Sequence, residues 1–390
     1  MIMWLNRLKW RRILLLAGVC LLIIVPVTAQ PSAPSAAVLV DEASGVRYTV
    51  ERFISANFPV GMVFTADGRL FYNEKMTGNV RVVAPDGTLQ REPVISVAVD
   101  GAVERGLLGI ALDPAYDENG VIWIVYTAVG TATAWPTNVI ARFVEEDGVG
   151  RDLEILYDLP IETGQLIHNG GNIRFDDEGR LYWSVGDYNE PAHSQDLTTP
   201  QGAIHRFDVI DGELRPAAGN PFPDSSIYAY GFRNPFDIAL DPVSGQVWTT
   251  ENGPACDDQL NIALAGFNYG WGPDYACSGY DMIAGLRDYM PPVLNLTQSI
   301  GISGLAFYDH DAIPEWQNDL FFCDWSWGLL RRVEIDDSRS RVLDVHEMAL
   351  GGEIDCRLTL AVSPDGALYF GTVGGGDGAI YRLQVVDESG

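Results

Sequence analysis

One short phrase recurs along this chain and limits what it can become. Asp67-Gly68-Arg69-Leu70-Phe71-Tyr72, Glu118-Asn119-Gly120-Val121-Ile122-Trp123, Glu178-Gly179-Arg180-Leu181-Tyr182-Trp183, Ser244-Gly245-Gln246-Val247-Trp248 and Asp365-Gly366-Ala367-Leu368-Tyr369-Phe370 each read as a polar turn followed by a β-branched or aromatic strand. Each copy predicts one β-hairpin. A degenerate copy at Trp316–Cys323 makes six, at irregular spacings of about 50 to 70 residues. Turn-and-strand repeats of this period predict an all-β fold, a six-bladed β-propeller. Helical periodicity is scarce beyond the first residues, and 41 Gly and 22 Pro further disfavour an α/β enzyme. A pair of β-sandwiches is the alternative architecture. Only a radial fold easily brings together His168, Arg233 and the 251–258 loop, which fall in different repeats.

With 390 residues and 47% hydrophobic content, the chain can bury one large core or two modest ones. Its formal charge is -28, and Arg7, Lys9, Arg11 and Arg12 are unopposed by any acid in the first 29 residues, so the remainder is more acidic still. Nucleic acid is therefore excluded as a partner, because phosphate binding needs a basic face.

Residues 1–29 read as an export signal: a basic stretch, an apolar run from Ile13 to Val27, and Val27-Thr28-Ala29 as a small-residue cleavage site. The alternative is an uncleaved anchor, although a run of this length is marginal for spanning about 30 Å of hydrocarbon. Cys20 lies one residue out of register for lipidation. A Pro/Ser/Ala-rich start at QPSAPSAA makes 30–45 the expected flexible linker, with the folded domain over 46–390 and no membrane contact in the mature form.

Four cysteines remain beyond Cys20. An even set in an exported chain favours disulfides, and chain order favours Cys256 with Cys277 and Cys323 with Cys356. Zinc is disfavoured, since no Cys-x-x-Cys pair is present. No Cys-x-x-Cys-His haem attachment sequence occurs either, so an electron-accepting haem would have to belong to another molecule.

Two stretches concentrate the chemistry. Tyr228–Gly272 holds an arginine after a Tyr-Gly-Phe turn, a Gly-Pro pair and adjacent carboxylates. Gln165–Asp187 places His168 before a Gly-Gly turn, where sharp backbone reversal could project the ring out of its blade. Histidine titrates near neutrality, which suits a proton carrier. The guanidinium of Arg233 can clamp a carboxylate bidentately, and Asn234 adds polar contacts. Calcium takes six to eight oxygens at flexible angles, which the carbonyls of Gly253 and Pro254 and the carboxylates of Asp257 or Asp258 could supply. Each of these also has an ordinary reading: a satisfied histidine, an inter-blade ion pair and a solvated acidic turn.

The phrases Arg105-Gly106-Leu107-Leu108-Gly109-Ile110-Ala111-Leu112, His168-Asn169-Gly170-Gly171, Gln195-Asp196-Leu197, Tyr230-Gly231-Phe232-Arg233-Asn234-Pro235, Glu251-Asn252-Gly253-Pro254 and Asn268-Tyr269-Gly270-Trp271 resemble the glucose/sorbosone dehydrogenase family, in that family's order and over roughly residues 50 to 385. The resemblance implies a six-bladed propeller, and in many members a soluble aldose dehydrogenase using pyrroloquinoline quinone (PQQ) and calcium. It implies His168 as the base that takes the anomeric hydroxyl proton of a sugar. Arg233 and Asn234 would bind the carboxylated cofactor, and Gly253 and Pro254 would hold the calcium through their carbonyls.

Departures from the family pattern are specific. Phe236 stands where many members have Gln, Gln259 where many have Glu, and Asp324-Trp325-Ser326-Trp327-Gly328 lacks a lysine often found there. Cys356, Leu358 and Thr359 replace an Arg-x-Arg-Asp pattern. Arg357, Lys75 and Arg332 could compensate only if they face the channel. Trp325 and Trp327, with the same strand face expected from a period of two, are the better candidates for stacking on a quinone or sugar ring, ahead of Phe236 and Trp183.

Three functions follow as expectations. The first is an exported quinoprotein dehydrogenase passing electrons from an aldose to an external acceptor. The second is a noncatalytic binding propeller, like the Hedgehog-interacting proteins that share this resemblance. The third is a calcium-dependent lactonase, in which a metal activates water.

Overall fold

The six phrases all land at the same place in the structure. In the computed structural model, which describes residues 37–386 apart from 163, 278–286 and 374–377, each phrase is the turn and second strand of one small antiparallel sheet. These second strands are Leu70–Glu74, Val121–Ala128, Leu181–Val185, Val247–Glu251, Leu320–Asp324 and Leu368–Thr372. Five of them bury every residue, because both faces of a blade pack against neighbouring blades. The turn glycines sit in the left-handed region, as at Gly68 (φ +86°) and Gly366 (φ +81°). In the degenerate copy Asn318 takes that conformation instead, at φ +67°, which is the substitution the left-handed region tolerates best.

The first strand of each sheet forms the inner ring: Pro59–Phe64, Leu107–Leu112, Ile173–Phe175, Pro235–Leu240, Ile302–Phe307 and Leu360–Val362. Each touches the next, and the last touches the first, so the six sheets close into the expected six-bladed propeller. We number the blades one to six in this order. A separate hydrophobic cluster fills every seam between adjacent blades. Among the described residues helix is confined to the four residues Tyr116–Asn119 and two short 3-10 turns, and no helix there is long and apolar enough to cross a membrane.

Blade six is built from both ends of the described chain. Arg47–Ser55 pairs with Ala379–Val385, and Val38–Val40 adds an outer strand, Val38 opposite Thr49. The expected boundary at 46 therefore needs correction. Residues 38–40 of the expected linker are a strand, because Val38, Leu39 and Val40 extend the edge that Arg47–Ser55 would otherwise leave open. The expected signal, 1–29, lies outside the described residues.

Asp41 fastens this outer strand to blade five. Its carboxylate accepts hydrogen bonds from Trp316 Nε1 at 3.0 Å, the Ala43 N–H at 3.1 Å and the Ser44 hydroxyl, and it pairs with Arg332 at 3.1 Å. Burial alone would raise its carboxyl, but Ser44, Arg332 and Trp316 outweigh burial and hold it below the ordinary 3.8. Since the folded state resists protonation, this contribution is complete above the ordinary carboxylate range and is lost as pH falls through the lowered value. Asp41→Ala should cost about 3 kcal/mol at neutral pH, because a buried ion pair loses one partner. Urea denaturation should show the gap to wild type narrowing below about pH 4.

Candidate active site

All six blades contribute to one cavity of about 450 Å³ at the ring's centre. Its wall includes Phe58 and Lys75 from blade one, Glu104 from the approach to blade two, and His168 from that to blade three. Arg233, Asn234 and Asn252–Pro254 come from blade four, Trp325 from blade five and Arg357 from the entry to blade six. A larger groove of about 1240 Å³ lies over the seam of blades one and two, but its buried Glu145 is already satisfied by Arg69, Tyr116 and the Gly148 N–H. The central cavity differs: His168 Nε2, Asn252 Oδ1 and Ser303 Oγ are buried on its wall without a hydrogen-bond partner among the described residues. Unmatched buried polar atoms are costly, so three on one wall mark a place for a polar ligand.

His168 is held on both sides. Its backbone is left-handed (φ +60°), and its N–H donates to Glu104 Oε2. Gly186 lies so close that a Cβ there would stand 2.1 Å from the His168 carbonyl oxygen. The ring Nδ1 lies 2.6 Å from Asp187 Oδ1, and the buried carboxylate, an acceptor only, places the proton on Nδ1. Nε2 is left with its lone pair, which is the arrangement of an oriented general base. Asp187 is itself fixed by the Asn189 N–H at 2.7 Å and Trp271 Nε1 at 2.8 Å.

Arg233 lies across the ring of Trp271, 5.6 Å from its centroid, and donates from Nη1 to the Asn252 carbonyl at 2.9 Å. No carboxylate pairs with its side chain among the described residues. Its N–H and that of Asn234 donate to Glu251 Oε1 at 2.6 and 3.3 Å, and burial pushes the Glu251 carboxyl up to about 8. The Asn234 side chain accepts from the Gly170 N–H at 3.1 Å and donates to Glu104, so it braces the turn carrying His168.

The 251–258 loop departs from expectation. Gly253 and Pro254 line the cavity, and no hydrogen bond among the described residues ends on their carbonyl oxygens. The Asp257 and Asp258 carboxylates are not on the cavity wall. Asp258 accepts from the backbone N–H groups of Gly253 (2.8 Å), Ile300 (2.7 Å), Gly301 (2.6 Å) and Ile302 (3.3 Å) and from the Ser299 hydroxyl (3.1 Å). Asp257 accepts from Tyr275 and Asn295. Both fasten the loop from behind, and the Cys256–Cys277 disulfide closes it covalently. Gly253 is required, since a Cβ there would meet the Cys256 carbonyl oxygen at 1.8 Å.

The tryptophans separate as well. Trp325 and Trp327 stand in the turn after Leu320–Asp324, not on a strand, so a period of two does not apply to them. Trp325 lines the cavity and stacks with Phe58, centroids 6.3 Å apart. Trp327 is off the cavity wall and lies against the Arg331 guanidinium. Among the compensating cations, Lys75 and Arg357 face the cavity, whereas Arg332 is buried in its blade against Asp41, Asp319 and Glu334. Phe236 and Leu358 add apolar wall, and Cys356 is bonded to Cys323 as expected.

The family model described as Glucose / Sorbosone dehydrogenase matches residues 56–382. The chain belongs to the glucose/sorbosone dehydrogenase family. It is 34% identical over 238 residues to the aldose sugar dehydrogenase YliI of Escherichia coli (strain K12), an alignment covering 56% of this chain and 62% of that relative, less than two thirds of its length. The solved apo-form of the soluble aldose sugar dehydrogenase (Asd) from Escherichia coli matches with a TM-score of 0.76 at 25% identity, covering 86% of this chain and 99% of that one. The PQQ-bound form of the aldose sugar dehydrogenase (Adh) from Streptomyces coelicolor matches with a TM-score of 0.72 at 25% identity, covering 87% and 98%.

Sequence reasoning passed over Asp187, Trp271, Glu104 and Glu251 as site residues. A signal for Asp187 existed: Ile173 pairs with Trp183, and carrying that register back five residues sets His168 opposite Tyr188, beside Asp187. The glucose/sorbosone phrases around Gln195 and Asn268 support the site from behind. Their side chains bond reciprocally at 2.8 and 3.0 Å, and Gln195 Nε2 also donates to the Trp271 carbonyl. Asp258→Ala should destabilise the fold by at least about 4 kcal/mol in urea denaturation, since several buried donors lose one charged acceptor. A metal-ligand role alone would leave apo-protein stability nearly unchanged.

Proposed function

We propose that this chain is an exported quinoprotein dehydrogenase that oxidises the anomeric hydroxyl of an aldose to the lactone, using PQQ and calcium, and passes the electrons to an external acceptor. The observation that carries this reading is the unpartnered Nε2 of His168, oriented by Asp187 on the wall of a cavity that also holds Lys75, Arg233 and Arg357. Family membership and the PQQ-bound relative support the cofactor. Two disulfides support export, since such bonds persist in oxidising compartments.

The residues present suit these groups. Arg233, Asn234 and Arg357 would receive cofactor acid groups, and Trp325 would cover a planar face. The free carbonyl oxygens of Gly253 and Pro254 are the hard ligands calcium prefers, so calcium would be held by backbone and cofactor oxygens without Asp257 or Asp258. When bound, the quinone supplies the two-electron acceptor and calcium the Lewis acid.

The protein's own part is proton management and orientation. His168 Nε2 takes the hydroxyl proton as the anomeric carbon gives up its hydride equivalent, and Asp187 stabilises the resulting imidazolium through Nδ1. Trp271 holds Asp187 from the other side, which keeps the ring from rotating. The apolar wall of Phe236, Leu108 and Leu358 excludes water around the reacting centre.

The test is a titration of the protein with PQQ in calcium buffer, followed by aldose-dependent dye reduction. Wild type should take up the cofactor and turn over sugar, and a chelator should abolish uptake. His168→Ala should bind PQQ normally but lose about 10²- to 10⁴-fold in kcat. Asp187→Asn should lose kcat in the same range with little change in cofactor affinity, through the wrong tautomer. No uptake at micromolar PQQ would sink this reading in favour of a binding propeller, and lactone hydrolysis without cofactor would favour the hydrolase.

A further inference from the structure

The chain has 25 lysines and arginines, and only two of them are lysine, Lys9 and Lys75. Every cation on the blades other than Lys75 is therefore an arginine or a histidine. Lys75 directly follows Leu70–Glu74, and its backbone is pinned across the first seam: its N–H donates to the Phe58 carbonyl at 3.1 Å, and its carbonyl accepts the Leu107 N–H at 3.0 Å. The residue is 4% exposed and lies on the cavity wall. Its Nζ reaches the Gly101 carbonyl at 3.3 Å and Met76 Sδ at 3.5 Å, and stands 5.1 Å from the centre of the Phe58 ring.

None of these neighbours is a counter-ion. Glu104 and Asp100 favour the charged form from beyond ion-pair distance, and burial still pushes the ammonium down to about 8. An ammonium carries three donors, and here they meet one carbonyl, one weak sulfur acceptor and an aromatic face. A buried charge normally has a paired anion. Arg233 stands in blade four, three blades away and so on the far side of the ring, and likewise has no carboxylate on its side chain.

We propose that Lys75 is the receptor for an acid group, carboxylate or phosphate, on the ligand that fills this cavity, opposite the anion site at Arg233. The proposal rests on reading the cavity as a ligand site of the dehydrogenase described above. The acid group has two sources. On the cofactor, it would give Lys75 the role for which the turn Asp324–Gly328 has no lysine. On the sugar, it would make uronic acids or sugar phosphates substrates.

Labelling the full chain with [ε-13C]lysine gives two signals, and Lys75→Gln identifies which is Lys75. PQQ with calcium, glucuronate and glucose 6-phosphate are the probes. The proposal expects one of them to shift the Lys75 signal and raise its titration midpoint, and Lys75→Gln or Lys75→Met to weaken that probe by about tenfold or more. A response to PQQ assigns the group to the cofactor, and a response to either acidic sugar assigns it to the substrate. If PQQ binds wild type and variant within about twofold, and no probe moves the signal, the proposal is overturned while the dehydrogenase reading stands. If PQQ fails to bind but an acidic sugar moves the signal, the dehydrogenase reading falls and Lys75 keeps its role. If no probe binds, both fall. Should the Lys75 variants unfold, Lys9→Arg assigns the signals instead, and the response of the wild-type Lys75 signal decides.

Discussion

Everything in this molecule depends on the pairing of Arg47–Ser55 with Ala379–Val385. Each seam is filled by its own hydrophobic cluster, so an open ring would expose two apolar blade faces to water. Because the cavity draws on every blade, an open ring would also have no cavity. The strand pairing therefore stabilises the fold and creates the site in one step. The Asp41–Arg332 pair reinforces it from the outside, carrying the N-terminal strand onto blade five.

Inside the ring, position is controlled by backbone more than by side chain. His168 sits where a left-handed residue and two tight glycines aim its ring. Arg233 is held through its own N–H by Glu251. The Gly253-Pro254 carbonyls are presented by a loop that Asp258 ties, through the Gly253 N–H, to three N–H groups of the segment 300–302. Trp271 joins these parts, since one face meets Arg233 and its N–H meets Asp187. Base and anion clamp thus share a rigid support, which is how a scaffold keeps reacting groups in register without help from the substrate.

The architecture was legible because its signal is repeated: six turn-strand phrases, each with a turn residue suited to positive φ, leave few alternatives. The site was legible in residue type but less so in direction. His168, Arg233, Asn234, Gly253, Pro254 and Trp325 all reach the cavity. Asp257, Asp258 and Trp327 do not, and the reason is common to them. An acidic pair in a loop looks alike whether it faces a metal or a row of backbone N–H groups, and only the fold shows that the segment 299–302 supplies those donors to Asp258. Trp327 was placed by a strand period that ends at Asp324. Asp187 was hidden because its partner lies across a hairpin whose register must be extended past the strand ends.

The ring closure has one more consequence. Val38 stands opposite Thr49, and Thr49 opposite Gln384, so the two ends of the described chain lie in the same sheet, on either side of the strand Arg47–Ser55. Blades one to five are each made from a continuous run of chain, and the sixth is knitted from two. Topologically the described chain is a circle with a single nick. A short linker could seal that nick and a cut in any outer turn could reopen the circle elsewhere, leaving the blades, their order and the central cavity as they are.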